Sequence, residues 1–436
     1  MRSDAKSANR LSSRLLNGLT GLYVGTFLIL YITDAVFPAL HYVPFVHSPV
    51  ELFCILAAPL LVRVHWPDYR QNALTSSLAL WRDHRQVIIA FLGLITLSFL
   101  TALEPGANVA DRGGKAVYIL LYRFGLFVVA LSTAIMLIRL GWRWPVVIAL
   151  LVLLGSIFYD VAYPGTFSTA DGRAGGFQEN PNVAAIAVMM LLAVSVRYDR
   201  VHPFDLLLIL AAAVGVFATL SRGGMMQLSL FLANYLYFTG RGRRLRQILL
   251  APLATAAMAA AALSVAGLIT TSSDMFQTEN AQRRLATFSG ENETVYETDT
   301  ARLSLIPQYM ALIDRHMLFG YGTGFSRSLP LGPHNSYLDF WVNNGFVGLL
   351  LYLWLLLAML GLCWARGFWP GLVFTQIALL AGMFTHDVIH LGVFLLLSGL
   401  VLGVSWGITA RATPIGLADR VAEGGAAVRR HPATAA

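Results

Sequence analysis

The chain has 436 residues, 57% of them apolar and only 12% charged, with a net charge of +8 and a mean hydropathy of +0.64. A soluble domain carries roughly a quarter charged residues, so this composition excludes an ordinary soluble fold and predicts a polytopic membrane protein. The apolar runs are about 17–25 residues long and do not alternate, which excludes a membrane β-barrel and leaves an all-α bundle.

In chain order, residues 1–17 are polar and basic, and an apolar run follows from about 18 to 37. The run is longer than the hydrophobic region of a cleaved signal peptide, so it reads as a retained first span. Further spans are expected near 49–65, 86–103, 116–138, 145–162, 181–197, 204–220, 225–239, 247–269, 335–362, 371–389 and 391–409, about twelve in all. The expected organisation is therefore a cytoplasmic segment 1–17, transmembrane helices 1–9 over 18–269, and an outer loop over 270–334. Helices 10–12 follow over 335–409, then an Ala-, Gly- and Pro-rich disordered tail over 410–436. Cys54 and Cys363 both lie inside apolar runs, which predicts neither a disulfide nor a metal site.

Loop charge orients this layout. Arginines collect at the N-terminus, at Arg63, Arg70, Arg82 and Arg85, at Arg139 and Arg143, at Arg197 and Arg200, between Arg241 and Arg246, at Arg366, and in the tail. These are alternate loops, and the positive-inside rule makes their side cytoplasmic. Both termini are then inside, and 270–334 faces the periplasm of a bacterium. The basic surplus is thus spent on topology and does not suggest nucleic acid. Within the outer loop, Leu303, Ile306, Met310 and Ile313 recur at helical spacing and predict an amphipathic surface helix from Ala301.

The candidate chemistry clusters on the outer side. Arg222 sits in Ser221-Arg222-Gly223-Gly224 between two apolar runs, Arg302 opens the surface helix, and Arg173 lies in Asp171-Gly-Arg173-Ala-Gly-Gly-Phe177. Guanidinium grips phosphate oxygens in pairs and stays charged, so arginines at the lipid boundary suit a lipid-linked diphosphate. Alternatively each one snorkels to headgroups or pairs with a carboxylate. His334 follows the glycine-rich stretch Gly320-Tyr-Gly322-Thr-Gly324 and opens the tenth span. It reads either as a general base for a sugar hydroxyl or as a simple helix cap. His386, Asp387 and His390 form a second polar group at the end of the eleventh span. Glu297 and Asp299 are the nearest thing to a carboxylate pair, but no metal or other cofactor is assigned. Arg123, inside the fourth span, is expected to face a cavity.

These residues resemble the bacterial O-antigen ligase and polymerase superfamily. Gly172-Arg173 through Phe177 with Asn180-Pro181-Asn182, Ser221-Arg222-Gly223, Thr300-Ala-Arg302-Leu, and Gly320 through His334-Asn335-Ser-Tyr337 to Asn344-Gly345 and Gly348 carry the likeness over about 165–362. The resemblance implies a metal-independent, inverting glycosyltransferase of the GT-C type in the inner membrane, using an undecaprenyl-diphosphate-linked glycan at the periplasmic face. It implies that Arg222 and Arg302 hold the diphosphate and that His334 activates the acceptor. Arg173, Asn335, Tyr337, Gly322 and Gly324 would be further substrate contacts. The acceptor would be lipid A–core, giving a ligase in lipopolysaccharide biosynthesis, or a second glycan, giving a repeat-unit polymerase. A lipid-linked sugar flippase is the rival from another class, although no internal repeat supports it.

Overall fold

The computed structural model describes residues 18–40, 48–70, 80–102, 110–240, 273–289, 295–329, 332–385 and 388–412. Its regular elements there are all helical. The first half comprises α1 (Gly18–Ile32), the short α2 (Val36–Leu40), α3 (Pro49–Arg70), α4 (Arg85–Ala102), α5 (Ala110–Leu140), α6 (Arg143–Ala162), α7 (Pro181–Ser195), α8 (Pro203–Ala218) and α9 (Arg222–Gly240). Then come α10 (Glu279–Ser289), α11 (Val295–Arg315), α12 (Ser336–Ala365), α13 (Trp369–Ala381) and α14 (Gly392–Ala412). Eleven of the twelve expected spans are helices, and the ninth, 247–269, lies outside the described residues. By length and apolarity α6 and α12 are sufficient to cross a membrane, and the other apolar helices have shorter qualifying stretches. The segment 1–17 and the tail from 413 also lie outside the described residues, and α14 continues to Ala412, past the expected tail boundary at 410.

The bundle is built around α7. Asn180 caps it by accepting from the Asn182 amide at 2.9 Å, and Pro181 follows at the first helical position, where its missing N–H costs nothing. From Ala184 to Ser195 the helix is buried on every side, as an all-round apolar sequence requires. α5 and α14 approach through a different device. Gly399, Gly403 and Gly407 recur every four residues along α14, and a Cβ at the first two would meet Phe127 O at 2.3 Å and the Ala134 Cβ at 2.5 Å. Glycine here lets two backbones touch, which is how helices associate where hydrophobicity gives no drive.

α12 is a single 30-residue element broken at Gly345, whose φ of 68° and ψ of −171° are not helical. In an unbroken helix Phe346 and Val347 would donate to Val342 O and Asn343 O. Here they donate to Met317 O and Leu318 O, at 2.8 and 3.3 Å. The two carbonyls left over accept instead from Tyr321 and Gly322, at 2.8 and 2.9 Å. Segment 317–322 therefore plugs the gap and re-pairs the two amides and two carbonyls that the kink frees. Only glycine fits, because a Cβ on Gly345 would lie 2.1 Å from Leu318 O.

The outer helix departs from expectation. Its packed stripe is Leu305, Tyr309 and Ile313 against Val342, whereas Ile306 and Met310 are turned outward. Counting apolar residues alone missed Tyr309, which buries its ring. The helix also begins at Val295, ahead of the expected Ala301, and a further helix, α10, precedes it.

Candidate functional site

Three helix N-termini meet at one end of the bundle around a cavity of about 420 Å³. α7 contributes Asn182 and Ile186, α9 contributes Ser221 through Gly224 with Met226 and Gln227, and α12 contributes Asn335 and Leu338 behind Pro333 and His334. Arg284 from α10, Ile306 from α11, and Met383 and Phe384 beyond α13 complete the wall. Each N-terminus presents the positive end of a helix dipole and amides without helical partners. Arg222 and Arg284 add two full charges, and no carboxylate lines the cavity among the described residues. Such a site favours an anion.

The three helix starts share a backbone device. The described chain has four non-glycine residues at positive φ, and three of them, Glu179, Leu220 and His334, immediately precede Asn180, Ser221 and Asn335. Each of those next residues accepts a hydrogen bond from the helix it opens. Asn335 Oδ1 accepts from the amides of Tyr337 and Leu338 at 2.9 and 3.1 Å, and Ser221 Oγ accepts from the Gly224 amide at 3.3 Å. Capping of α12 thus falls to Asn335, so the alternative reading of His334 as the cap does not hold. His334 is instead bent into the left-handed region at φ 46°, a conformation that costs of order 1 kcal/mol and recurs at functional sites.

The other wall is apolar and open. Met226, Ile306 and Met383 are 50%, 42% and 54% exposed. A cationic floor beside an exposed apolar flank matches an amphiphile with an anionic head.

Three of the expected residues, Arg222, His334 and Asn335, are brought together in this cavity. Arg173 is placed differently. It is buried, its Nε donates to Thr219 O at 2.9 Å, and its Nη2 donates to Asn182 Oδ1 at 2.8 Å. It ties the end of α8 to a residue that lines the cavity. Tyr337 leans the other way, its hydroxyl donating to Leu379 O of α13 at 2.7 Å. Gly322 and Gly324 sit in the plug over the α12 kink, outside the cavity wall. Arg302 lies one turn before Ile306 on α11, and its side chain lies outside the described residues. So do His386, Asp387, the ring of His390, and the carboxylates of Glu297 and Asp299.

The sequence reading missed Asn182 as a lining residue, Arg284, Gln227 and Asp160. Asp160, buried at the end of α6, accepts from the amides of Phe167, Ser168, Gly175 and Gly176 at 2.9–3.3 Å. The Gly-Arg-Ala-Gly-Gly motif is thus folded around a carboxylate that lies outside it in sequence. A lone Asp inside an apolar run was the only available signal.

An all-helical, apolar bundle thus carries a cationic pocket beside an apolar opening, a shape and charge that fit an anionic amphiphile. Residues 206–353 match the sequence model of a family described as O-Antigen ligase, which supports the resemblance to the O-antigen ligase and polymerase superfamily over that segment. The matched stretch contains Arg222, Arg302 and His334 and leaves out Arg173. A search of curated proteins finds no match.

Proposed function

We propose that this protein is a membrane glycosyltransferase that transfers a glycan from a lipid diphosphate, undecaprenyl diphosphate by the family resemblance, to an acceptor hydroxyl. The observation that carries this reading is the meeting of Arg222 and His334, far apart in sequence, in one cavity at three helix N-termini that no carboxylate lines among the described residues. The diphosphate lies against Arg222 and the amides of α9, with Arg284 in the cavity wall, and the family resemblance adds Arg302 as a second ligand. The polyprenyl chain leaves past Met226, Ile306 and Met383. His334 takes the proton from the acceptor hydroxyl, whose oxygen attacks the anomeric carbon from the face opposite the leaving group. The carbon–oxygen bond to the diphosphate breaks, its electron pair passes to the phosphate oxygen, and the configuration inverts. Arginine and helix dipoles stabilise the charge that develops there.

Loop charge supports an orientation with both termini cytoplasmic and the cavity at the periplasmic face of the inner membrane. A cavity at one end of the bundle, rather than at mid-depth, favours transfer over transport. In proteoliposomes given lipid-linked glycan, His334→Ala and Arg222→Ala should both abolish transfer while the proteins remain monodisperse. Wild-type transfer by both variants would reject the reading. The glycan profile of a deletion strain separates the two reactions. Long chains left on the carrier mean a lost ligase, and single repeats on the acceptor mean a lost polymerase.

A further inference from the structure

Gln227 is fully buried on α9, lines the cavity, and has neither carboxamide atom hydrogen-bonded. Buried amides are nearly always paired, so two unmet atoms on one side chain call for a partner. The helix explains where that partner would sit. Gln227 is five residues, about 7.5 Å, beyond Arg222 along the axis. Side chains on a helix tilt back toward its N-terminus, which brings the carboxamide over the turn at Gly223 and Gly224. Gly223 and Gly224 line the same cavity as Gln227, Gly223 lying against Phe384 and Gly224 against Ala185 and Val216. The amide therefore lines the cavity deeper along α9 than Arg222, nearly one and a half turns from it, where a group joined to the diphosphate would lie.

The chemistry narrows the ligand. Phosphate oxygens only accept, so a diphosphate would meet Nε2 and leave Oε1 facing an anion. A sugar hydroxyl both donates and accepts, and two adjacent hydroxyls satisfy Oε1 and Nε2 together. We propose that Gln227 contacts the sugar bonded to the diphosphate, pairing with adjacent ring hydroxyls and so selecting the first residue of the donor glycan. This rests on the donor reading above and adds the residue that reads its sugar.

The test compares two probes on the detergent-solubilised full chain, undecaprenyl diphosphate alone and the same lipid carrying a single hexose. Gln227→Met keeps the length and removes both polar atoms, and Gln227→Asn keeps the amide but withdraws it by one methylene. Both should weaken binding of the sugar-bearing lipid about tenfold, the loss of one or two hydrogen bonds, and leave the sugar-free lipid unchanged. Retained binding of the sugar-free lipid also shows that each variant is folded. Equal weakening of both lipids, or of neither, would overturn the assignment, since the amide would then face phosphate or water. If the wild-type chain binds neither lipid, the donor reading fails first and takes this one with it.

Discussion

α12 joins two places where arginine meets histidine, and they are built on opposite principles. At its far end His84, fully buried, has Nδ1 at 2.7 Å from Leu80 O, and Arg366 Nη1 lies 2.9 Å from its Nε2. Leu402 O also lies 3.2 Å from Nε2, but arginine only donates, so the shorter Arg366 contact makes Nε2 the acceptor and leaves the proton on Nδ1. The same guanidinium nitrogen donates to Ser405 Oγ at 2.9 Å, and Trp406 donates to Asp83 at 2.8 Å. Polar groups here lock α4, α12 and α14 together. At the near end His334 is held at positive φ, Gln227 is unmet, and three helix dipoles point at one space. Satisfied polar groups staple a bundle, and strained or unsatisfied ones mark where something else must bind.

The sharpest way to break this comparison is to exchange roles. His334→Ala should lower transfer by 10²–10⁴, the range for a lost general base, with little change in thermal stability. His84→Ala should do the reverse, destabilising the protein while the fraction that remains folded turns over normally. Transfer rates and thermal unfolding of both variants in one detergent decide the matter. Parallel losses at both sites would dissolve the distinction.

Gly345 tests the plug that connects the two ends. Gly345→Val places a Cβ against Leu318 O in a conformation that β-branched residues avoid, and it should cost about 3 kcal/mol or more. The expected readout is loss of folded, monodisperse protein on size exclusion. Normal yield and melting would mean that the 317–322 segment is not the partner of the broken helix.

A third expectation concerns acid. Burial, with a contribution from the Arg366 guanidinium, pushes His84 from the usual 6.5 down to about 4. The unfolded chain therefore binds a proton first as pH falls, so stability is full above about 6.5 and is lost progressively toward 4. A shift of this size corresponds to roughly 3 kcal/mol. His84→Leu removes the titration, and its melting curve, lower at neutral pH, should be flatter than wild type across that window. Parallel curves would show that His84 does not titrate there.

The helices were legible in the sequence because lipid-facing and core-facing segments share one signal, a long apolar run. Arg222 and His334 were legible too, since a charge or imidazole at the mouth of such a run has few reasons to be there. The remainder was hidden for physical causes. Arg173 resembles a ligand-binding arginine in sequence, and only the fold reveals Thr219 O and Asn182 as its partners. Asp160 reads as a stray charge until the loop closes on it. Gln227 sits in an apolar helix as an unremarkable amide, and its meaning depends on what fails to face it.

The smallest expected effect concerns Tyr337, a substrate contact by the family resemblance, whose hydroxyl points elsewhere in the fold. Its hydroxyl holds Leu379 O at 2.7 Å, and its ring lies against Gly382, where an added Cβ would be 3.1 Å away. Tyr337→Phe should therefore cost about 1 kcal/mol of stability, the worth of one buried hydrogen bond, and leave KM for the lipid-linked donor within about twofold. A substrate contact would show the opposite pattern, an unchanged melting temperature with a raised KM. Measuring both on one preparation decides whether Tyr337 belongs with the strained cavity or with the stapled scaffold behind it.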